Sequence, residues 1–319
     1  MRVGVVGAGL AGLMAAGLLQ AAAHDVVVLE RSRSPGGRLA TRRIGPATLD
    51  HGAQFFTVRT APFAEMVERW QSRGLVRVWC RGFGPEDGHP RYVAEGGMNA
   101  VAKHVAADLP IRFSTMAFAL RPGGDRPRTW SIGLDDGGSV EVDAAVVTCP
   151  LPQSASLLIT AGVELPDELR RCDYDRTLAL LCVLDRPSAV PAPGGVPEAD
   201  DTFSFVGDNQ AKGVSPAPAV TFHARPSWSL RWWDRAPAEA HADLLGAARP
   251  WLGDARVVES RLKRWRFATP QAIWPERCWS TTDVAAPLVL AGDAFGGPRV
   301  EGAALSGLAA AQSLIEGPR

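Results

Sequence analysis

The sequence predicts an α/β protein: a Rossmann-like dinucleotide-binding domain interleaved with a second domain of mixed strands and helices. Three observations carry this reading. An apolar stretch at residues 1–6 runs into Gly7-Ala8-Gly9-Leu10-Ala11-Gly12. A small-residue, apolar run of helical character follows at 13–23, and a second apolar strand at 25–29 ends on Glu30. Far downstream, an apolar strand at 287–290 leads into Ala291-Gly292-Asp293 and then a small-residue helix at 302–315.

The first element is a βαβ unit. Gly7 makes the tight turn, Gly9 lets backbone approach a pyrophosphate, and Gly12 lets helix and strand pack closely. Leu10 and Ala11 open the helix, whose amide donors and positive dipole favour phosphate. Glu30 stands 18 residues after Gly12, close to where a carboxylate meets ribose hydroxyls. Residues 31–38, rich in Gly, Ser and Arg, read as a loop. Residues 62–72 have helical spacing, with Phe63, Met66, Val67 and Trp70 on one face and Gly74 as the stop. A strand at 75–80, a loop at 81–90 and a helix at 97–107 follow, with Met98, Val101, Ala102 and Val105 inward.

Residues 111–120 read as extended. Segments 129–134 and 139–142 flank Asp135-Asp136-Gly137-Gly138, a good hairpin turn. A buried strand at 144–148 ends at Cys149-Pro150. Strands are expected at 178–184, 219–224 and 257–267, and an amphipathic helix at 237–251. The Pro- and Gly-rich stretch 186–218 reads mostly as surface loop, with a short strand near 203–206. We expect 1–56, 94–153 and 283–319 to form the dinucleotide-binding domain, and 57–93 and 154–282 the substrate domain.

Composition narrows the function class. Lys plus Arg and Asp plus Glu are 34 each, so nothing points to nucleic acid or another polyanion. Five scattered cysteines without a C-x-x-C suit reduced thiols. No basic leader precedes the apolar start, and no uncharged apolar run suits a membrane span, so the expectation is a cytoplasmic, membrane-free protein. The six histidines show no metal-ligand spacing, so no metal is expected. There is no G-x-S-x-G and no C-x-x-x-x-C, and Gly82-Phe83-Gly84 makes a poor second dinucleotide site. That argues against hydrolase chemistry and against a separate NAD(P)H domain.

The two glycine motifs belong together. The carboxylate of Asp293 suits sugar-alcohol hydroxyls, and the helix start at Val300, Glu301 and Ala303 offers amides and positive dipole to developing negative charge. A reduced flavin carries such charge near N1 and the C2 carbonyl. One motif at each end of the chain would therefore hold the two ends of FAD.

Residues 30–38 (E-R-S-R-S-P-G-G-R), 50–56 (D-H-G-A-Q-F-F) and 291–307 (A-G-D-A-F-G-G-P-R-V-E-G-A-A-L-S-G) resemble the FAD-containing amine-oxidase superfamily, and within it the bacterial renalase-like proteins. Residues 96–100, 223–229 and 264–268 add to the likeness, which is weak between 186 and 218. The resemblance implies an FAD-binding domain of glutathione-reductase type and FAD held non-covalently. The final Gly-rich turn, Phe295-Gly296-Gly297-Pro298, lacks the cysteine that covalent members use. It implies Arg31, Gly36, Gly37 and Arg38 near the cofactor, with Arg38 as charge partner. Gln54 and Phe55 would lie near the reactive face, and His223 in the substrate cavity. Trp228, Trp232, Trp233, Trp265 and Trp274 read chiefly as core, with one or two facing substrate.

The expected activity is hydride transfer from a reduced small molecule to flavin, with dioxygen as acceptor. The resemblance implies 2- or 6-dihydro-NAD(P) isomers as substrates, a reaction that needs no protein base. The alternatives are an amine oxidase, a desaturase, or a flavin-binding module without turnover.

Overall fold

The computed structural model describes residues 1–84, 87–124, 128–281 and 284–317. The expected loop 81–90 therefore falls partly, and the expected border at 283 wholly, outside the described residues. The chain gathers into two compact units, one of residues 1–37, 102–173 and 270–319, the other of 38–101 and 174–269.

The first unit is organised by a six-stranded sheet. Its order is Trp279–Thr281, Leu288–Leu290, Ala144–Val147, Arg2–Val6, Asp25–Leu29 and Ile111–Arg112. All neighbours pair in parallel except Trp279–Thr281, which is antiparallel to Leu288–Leu290. The central strands are runs of Val, Ala and Leu buried on both faces, as a covered parallel sheet requires. Helix Leu10–Ala21 follows the first strand, and helix Arg299–Glu316 packs against it. The approach is close: a Cβ on Gly307 would lie 2.0 Å from the Ala11 carbonyl oxygen. A three-stranded antiparallel sheet, Ala117–Pro122, Trp130–Leu134 and Ser139–Val142, returns the chain to the strand Ala144–Val147.

The second unit is built on a five-stranded antiparallel sheet. Its order is Gly195–Pro197, Phe203–Asp208, Ala219–Ala224, Thr177–Leu184 and Val257–Trp265. One face carries Leu178, Leu180, Cys182, Val206 and Phe222 into a core closed by Trp228, Trp233, Leu244 and Leu252. On the other face, Leu181, Val183 and Ala219 meet Ile44, Ala47 and Leu49 of the hairpin Thr41–Ile44/Ala47–Asp50. Helix Ala61–Ser72 buries Phe63, Met66, Val67 and Trp70, the face its spacing predicts.

Three local expectations need correction. Residues 111–120 are not one strand: Ile111–Arg112 and Ala117–Pro122 belong to different sheets. The final helix starts at Arg299 rather than 302. The stretch 186–218 is not mainly surface loop, because two sheet strands run through it and Asp208, Asn209, Lys212 and Ser215 are buried. Its prolines and glycines mask the strand pattern, and its buried polar side chains find partners elsewhere in the chain: Lys212 on Asp50 and Gln54, Asn209 on Thr221 and the Asp50 N–H, and Ser215 on the Thr48 N–H. Among the described residues no helix is long and apolar enough to cross a membrane.

Candidate nucleotide and substrate sites

In the first unit, neighbouring parallel strands end at one edge, the place where open α/β sheets bind ligands. The residues that follow those strands therefore collect there: Gly7 after Val6, Glu30 after Leu29, Thr148 after Val147, and Ala291 to Asp293 after Leu290. Gly7 N–H donates to the Leu29 carbonyl at 2.9 Å and Thr148 N–H to the Val6 carbonyl at 2.9 Å. Thr148 Oγ1 also donates to the Val6 carbonyl, at 2.9 Å, which ties two strand ends together. The sequence reading missed Thr148; a hydroxyl just past a buried apolar strand was the available signal.

The glycines of the motif differ in their surroundings. A Cβ on Gly12 would lie 2.0 Å from the Gly7 carbonyl oxygen, so only glycine packs there. A Cβ on Gly9 would meet nothing within 4 Å. Its φ of −72° suits any L-residue, so what glycine provides there is open space over the helix start. Gly36 N–H donates to the Ala8 carbonyl at 2.9 Å, which lays the 36–37 turn beside Gly9. Leu10 and Ala11 form the first turn of a helix with no side-chain cap, so ligand acceptors have access to its N-terminal amides.

Glu30 is buried and already bonded. Its Oε2 accepts from Ala8 N–H at 2.8 Å and its Oε1 from Ser32 N–H at 2.7 Å. These bonds fix the carboxylate at the strand end and leave lone pairs for a ribose. Cys149 lies near enough to feel it. Burial, then the Glu30 charge, raise that thiol to about 11, so it stays protonated. Arg31 is exposed.

Gly292 N–H donates to Ser306 Oγ at 2.8 Å, joining the Gly-Asp turn to the last helix. Asp293 is buried, Val300 is buried, and Glu301 and Ala303 are half-buried in the first turn. That helix also lacks a side-chain cap. Its turn is tight: a Cβ on Gly302 would lie 1.8 Å from the Gly297 carbonyl oxygen. An open cradle over Gly9, a fixed carboxylate and two uncapped helix starts are what a dinucleotide needs, so these residues fit the group that the motifs imply.

The second unit contains a buried polar cluster. Lys212 and Asp50 side chains are wholly buried and bonded at 2.9 Å. Lys212 Nζ also donates to the Gln54 backbone carbonyl and to Gln54 Oε1, each at 3.2 Å. The other Asp50 oxygen accepts from Thr41 Oγ1 at 2.6 Å and Met98 N–H at 2.8 Å. Gln54 Nε2 donates to the carbonyls of Asp50 and Gly52. Gln54 thus spends its amide holding the 50–54 turn. Asn209 and Thr221 fasten the same turn, through Asp50 N–H at 3.1 Å and the Asp50 carbonyl at 2.8 Å. Sequence reasoning counted Lys212 but gave it no role, although a lysine in so Arg-rich a chain was a usable hint.

Above this cluster, directly paired residues run across one face of the five-stranded sheet: Phe205, His223, Ala179 and Lys263. Trp265, two residues beyond Lys263, shares that face. His51 stacks on Trp265, ring centroids 5.3 Å apart. The His51 carbonyl accepts from Trp265 Nε1 at 2.7 Å and from His223 Nε2 at 3.2 Å, so His223 carries its proton on Nε2. Burial lowers His51 from 6.5 to about 3, helped by the charges of Lys263, His223 and Arg42. Burial lowers His223 to about 4. Both rings are neutral near pH 7.

Phe55 joins Trp79, Phe83 and Phe205 in a half-buried aromatic group, its ring 5.2 Å from Phe83 and 5.9 Å from Phe205. Phe56 is core, packed on Phe63, Trp70 and Tyr92. Arg38 lies over the Tyr174 ring at 5.5 Å and donates to the Ala268 carbonyl at 3.4 Å. The structure thus collects Gly7, Gly9, Leu10, Ala11, Gly12, Glu30, Gly37, Gly292 and Asp293 in the first unit, and Arg38, Gln54, Phe55 and His223 in the second.

Comparison with known proteins fits this geometry. Residues 5–70 match the NAD(P)-binding Rossmann-like domain, and residues 73–315 match the family described as flavin containing amine oxidoreductase. The second match covers most of the chain, and the protein belongs to that family. Arabidopsis thaliana FMO GS-OX-like 10 is 29% identical over 165 residues, 46% of this chain and 36% of that protein. Hydroxyneurosporene desaturase of Rubrivivax gelatinosus is 43% identical over 58 residues, 18% of this chain and 11% of that protein. The matched regions therefore span about a third or less of these curated relatives. A structure of putrescine oxidase bound to putrescine superposes with a TM-score of 0.71 at 13% identity, covering 99% of this chain and all (100%) of that one. That likeness shows a shared fold.

Proposed function

We propose that this protein is a renalase-like, FAD-dependent oxidoreductase that oxidises a reduced small molecule, with 2- or 6-dihydro isomers of NAD(P) as candidate substrates. The observation that carries the reading is the collection of Gly7 to Gly12, Glu30, Gly292 and Asp293 where the parallel strands of a single sheet end. Gly9 and the amides of Leu10 and Ala11 would take the pyrophosphate, and Glu30 the ribose. Asp293, Val300, Glu301 and Ala303 would serve the flavin end, with Arg31, Gly36 and Gly37 completing the set within the first unit. Binding is non-covalent in this reading, since the 295–298 turn has no cysteine. When bound, FAD would supply two-electron chemistry: it would take a hydride from substrate carbon and hand the two electrons and that proton, with a second proton from water, to dioxygen, released as hydrogen peroxide.

The chain's own contribution is binding and orientation. Two neutral histidines and an amide committed to its own turn form no general acid–base pair at neutral pH. Hydride loss from an already electron-rich dihydropyridine needs none, which favours that substrate class. A second reading, amine oxidation, is supported by the family itself and by the half-buried aromatic group around Phe55. Anaerobic mixing of the yellow protein with dihydronicotinamide isomers and with primary amines separates the two. Bleaching by the former supports the proposal; bleaching by amines alone replaces it with the second reading. A colourless protein that takes up no FAD ends both.

A further inference from the structure

We propose that His51 is a ligand-binding residue whose Nδ1 hydrogen-bonds a polar group of a planar ligand, neutral or anionic, with Lys263 biasing the same face against protonated amines. The reading deepens the proposed function and rests on it only in treating that ligand as substrate.

His51 has an unspent nitrogen. His51 is 7% exposed, and its Nδ1 is shielded from solvent with no hydrogen-bond partner among the described residues. Buried polar groups are nearly always bonded, so an exception asks for a partner. The residue is also held unusually firmly. Its N–H donates to the Ala40 carbonyl at 3.1 Å, and its carbonyl takes bonds from Trp265 and His223. Next to it, a Cβ on Gly52 would lie 2.0 Å from the Arg38 carbonyl oxygen, and Asp50 is pinned by Lys212. A rigid frame around an unbonded nitrogen is how a pre-organised recognition group is built.

Charge sets the ligand class. Lys263 Nζ stands 5.1 Å from the centre of the Trp265 ring on which His51 stacks, and Arg42 is near enough to depress the same imidazole. The charged side chains that lower His51 are the cations Lys263 and Arg42, and the carboxylate of the adjacent Asp50 is taken up by Lys212. A cationic amine would be repelled there; a carboxamide or carboxylate would not.

The test uses one ring with three polar groups: benzamide, benzoate and benzylamine, titrated by calorimetry into the flavin-loaded protein. Benzamide and benzoate should bind, with benzylamine at least about tenfold weaker than benzoate. His51→Phe keeps a ring against Trp265 and removes the nitrogen; benzamide affinity should fall about three- to tenfold, with flavin content and folding retained at neutral pH. His51→Asn, which restores a polar group, should recover part of the loss. Lys263→Met should narrow the gap between benzoate and benzylamine. Unchanged benzamide affinity in His51→Phe, equal binding of benzylamine and benzoate, or no heat from any probe overturns the proposal. If the protein takes up no flavin yet binds benzamide through His51, the flavin reading fails and this one stands.

Discussion

Mild acid should destabilise the second unit through histidines that its fold keeps neutral. His51 titrates near 6.5 when unfolded but only at about 3 in the fold, and His223 at about 4. Between those values the unfolded chain binds protons that the folded chain refuses. Stability is therefore complete above 6.5, falls as pH drops below it, and stops falling at the folded values. From about pH 7 to about pH 5, each buried histidine costs about 2 kcal/mol, so the pair costs up to about 4 kcal/mol. His241, lowered by burial, adds in the same direction. The window lies above the range where carboxylates titrate, which isolates the effect. Urea midpoints followed by tryptophan fluorescence across this range would measure it. His51→Phe should remove a substantial part of the slope, and adding His223→Phe most of the rest. A flat wild-type profile, or an undiminished slope in the double variant, would show that these histidines do not set the acid sensitivity.

Three further outcomes follow from the geometry. Gly9→Ala should fold normally, since its Cβ meets no protein atom within 4 Å, yet retain less flavin; Gly12→Ala should fold poorly, with its Cβ 2.0 Å from a carbonyl oxygen. Flavin absorbance per folded protein separates the two effects. Glu30→Ala strands the Ala8 and Ser32 N–H groups and should cost on the order of 1–3 kcal/mol in addition to weakening FAD retention, read by thermal melts and by flavin release on dilution. Lys212→Met leaves the Asp50 carboxylate buried and unpaired and should cost about 3–5 kcal/mol, whereas Lys212→Met with Asp50→Asn should recover much of it. Equal losses in the single and double variants, by urea denaturation, would show that the charge is not the cause.

The βαβ unit was legible in the chain alone, because its signals are local. A tight turn, a close helix–strand contact and an acid at a strand end are each written in a few consecutive residues. The predicted strand 25–29 appears as Asp25–Leu29, and the amphipathic helix around Phe63 and Trp70 forms with the expected face buried. The Gly-Asp strand end and the small-residue last helix were legible for the same reason.

Pairings between residues distant in the chain emerge only in the fold. Lys212 reaches Asp50 across 162 positions, and no pattern of spacing says that a lysine in a Pro- and Gly-rich stretch will be buried against it. The division of Gly9 and Gly12 into one open and one crowded position depends on which atoms surround them. His51 reads in sequence as one histidine among six; its stacked ring, pinned backbone and unspent nitrogen exist only because strand register brings Trp265 and His223 to the same carbonyl. Periodicity reports which way a side chain faces, but hydrogen bonds and charge depend on what stands opposite.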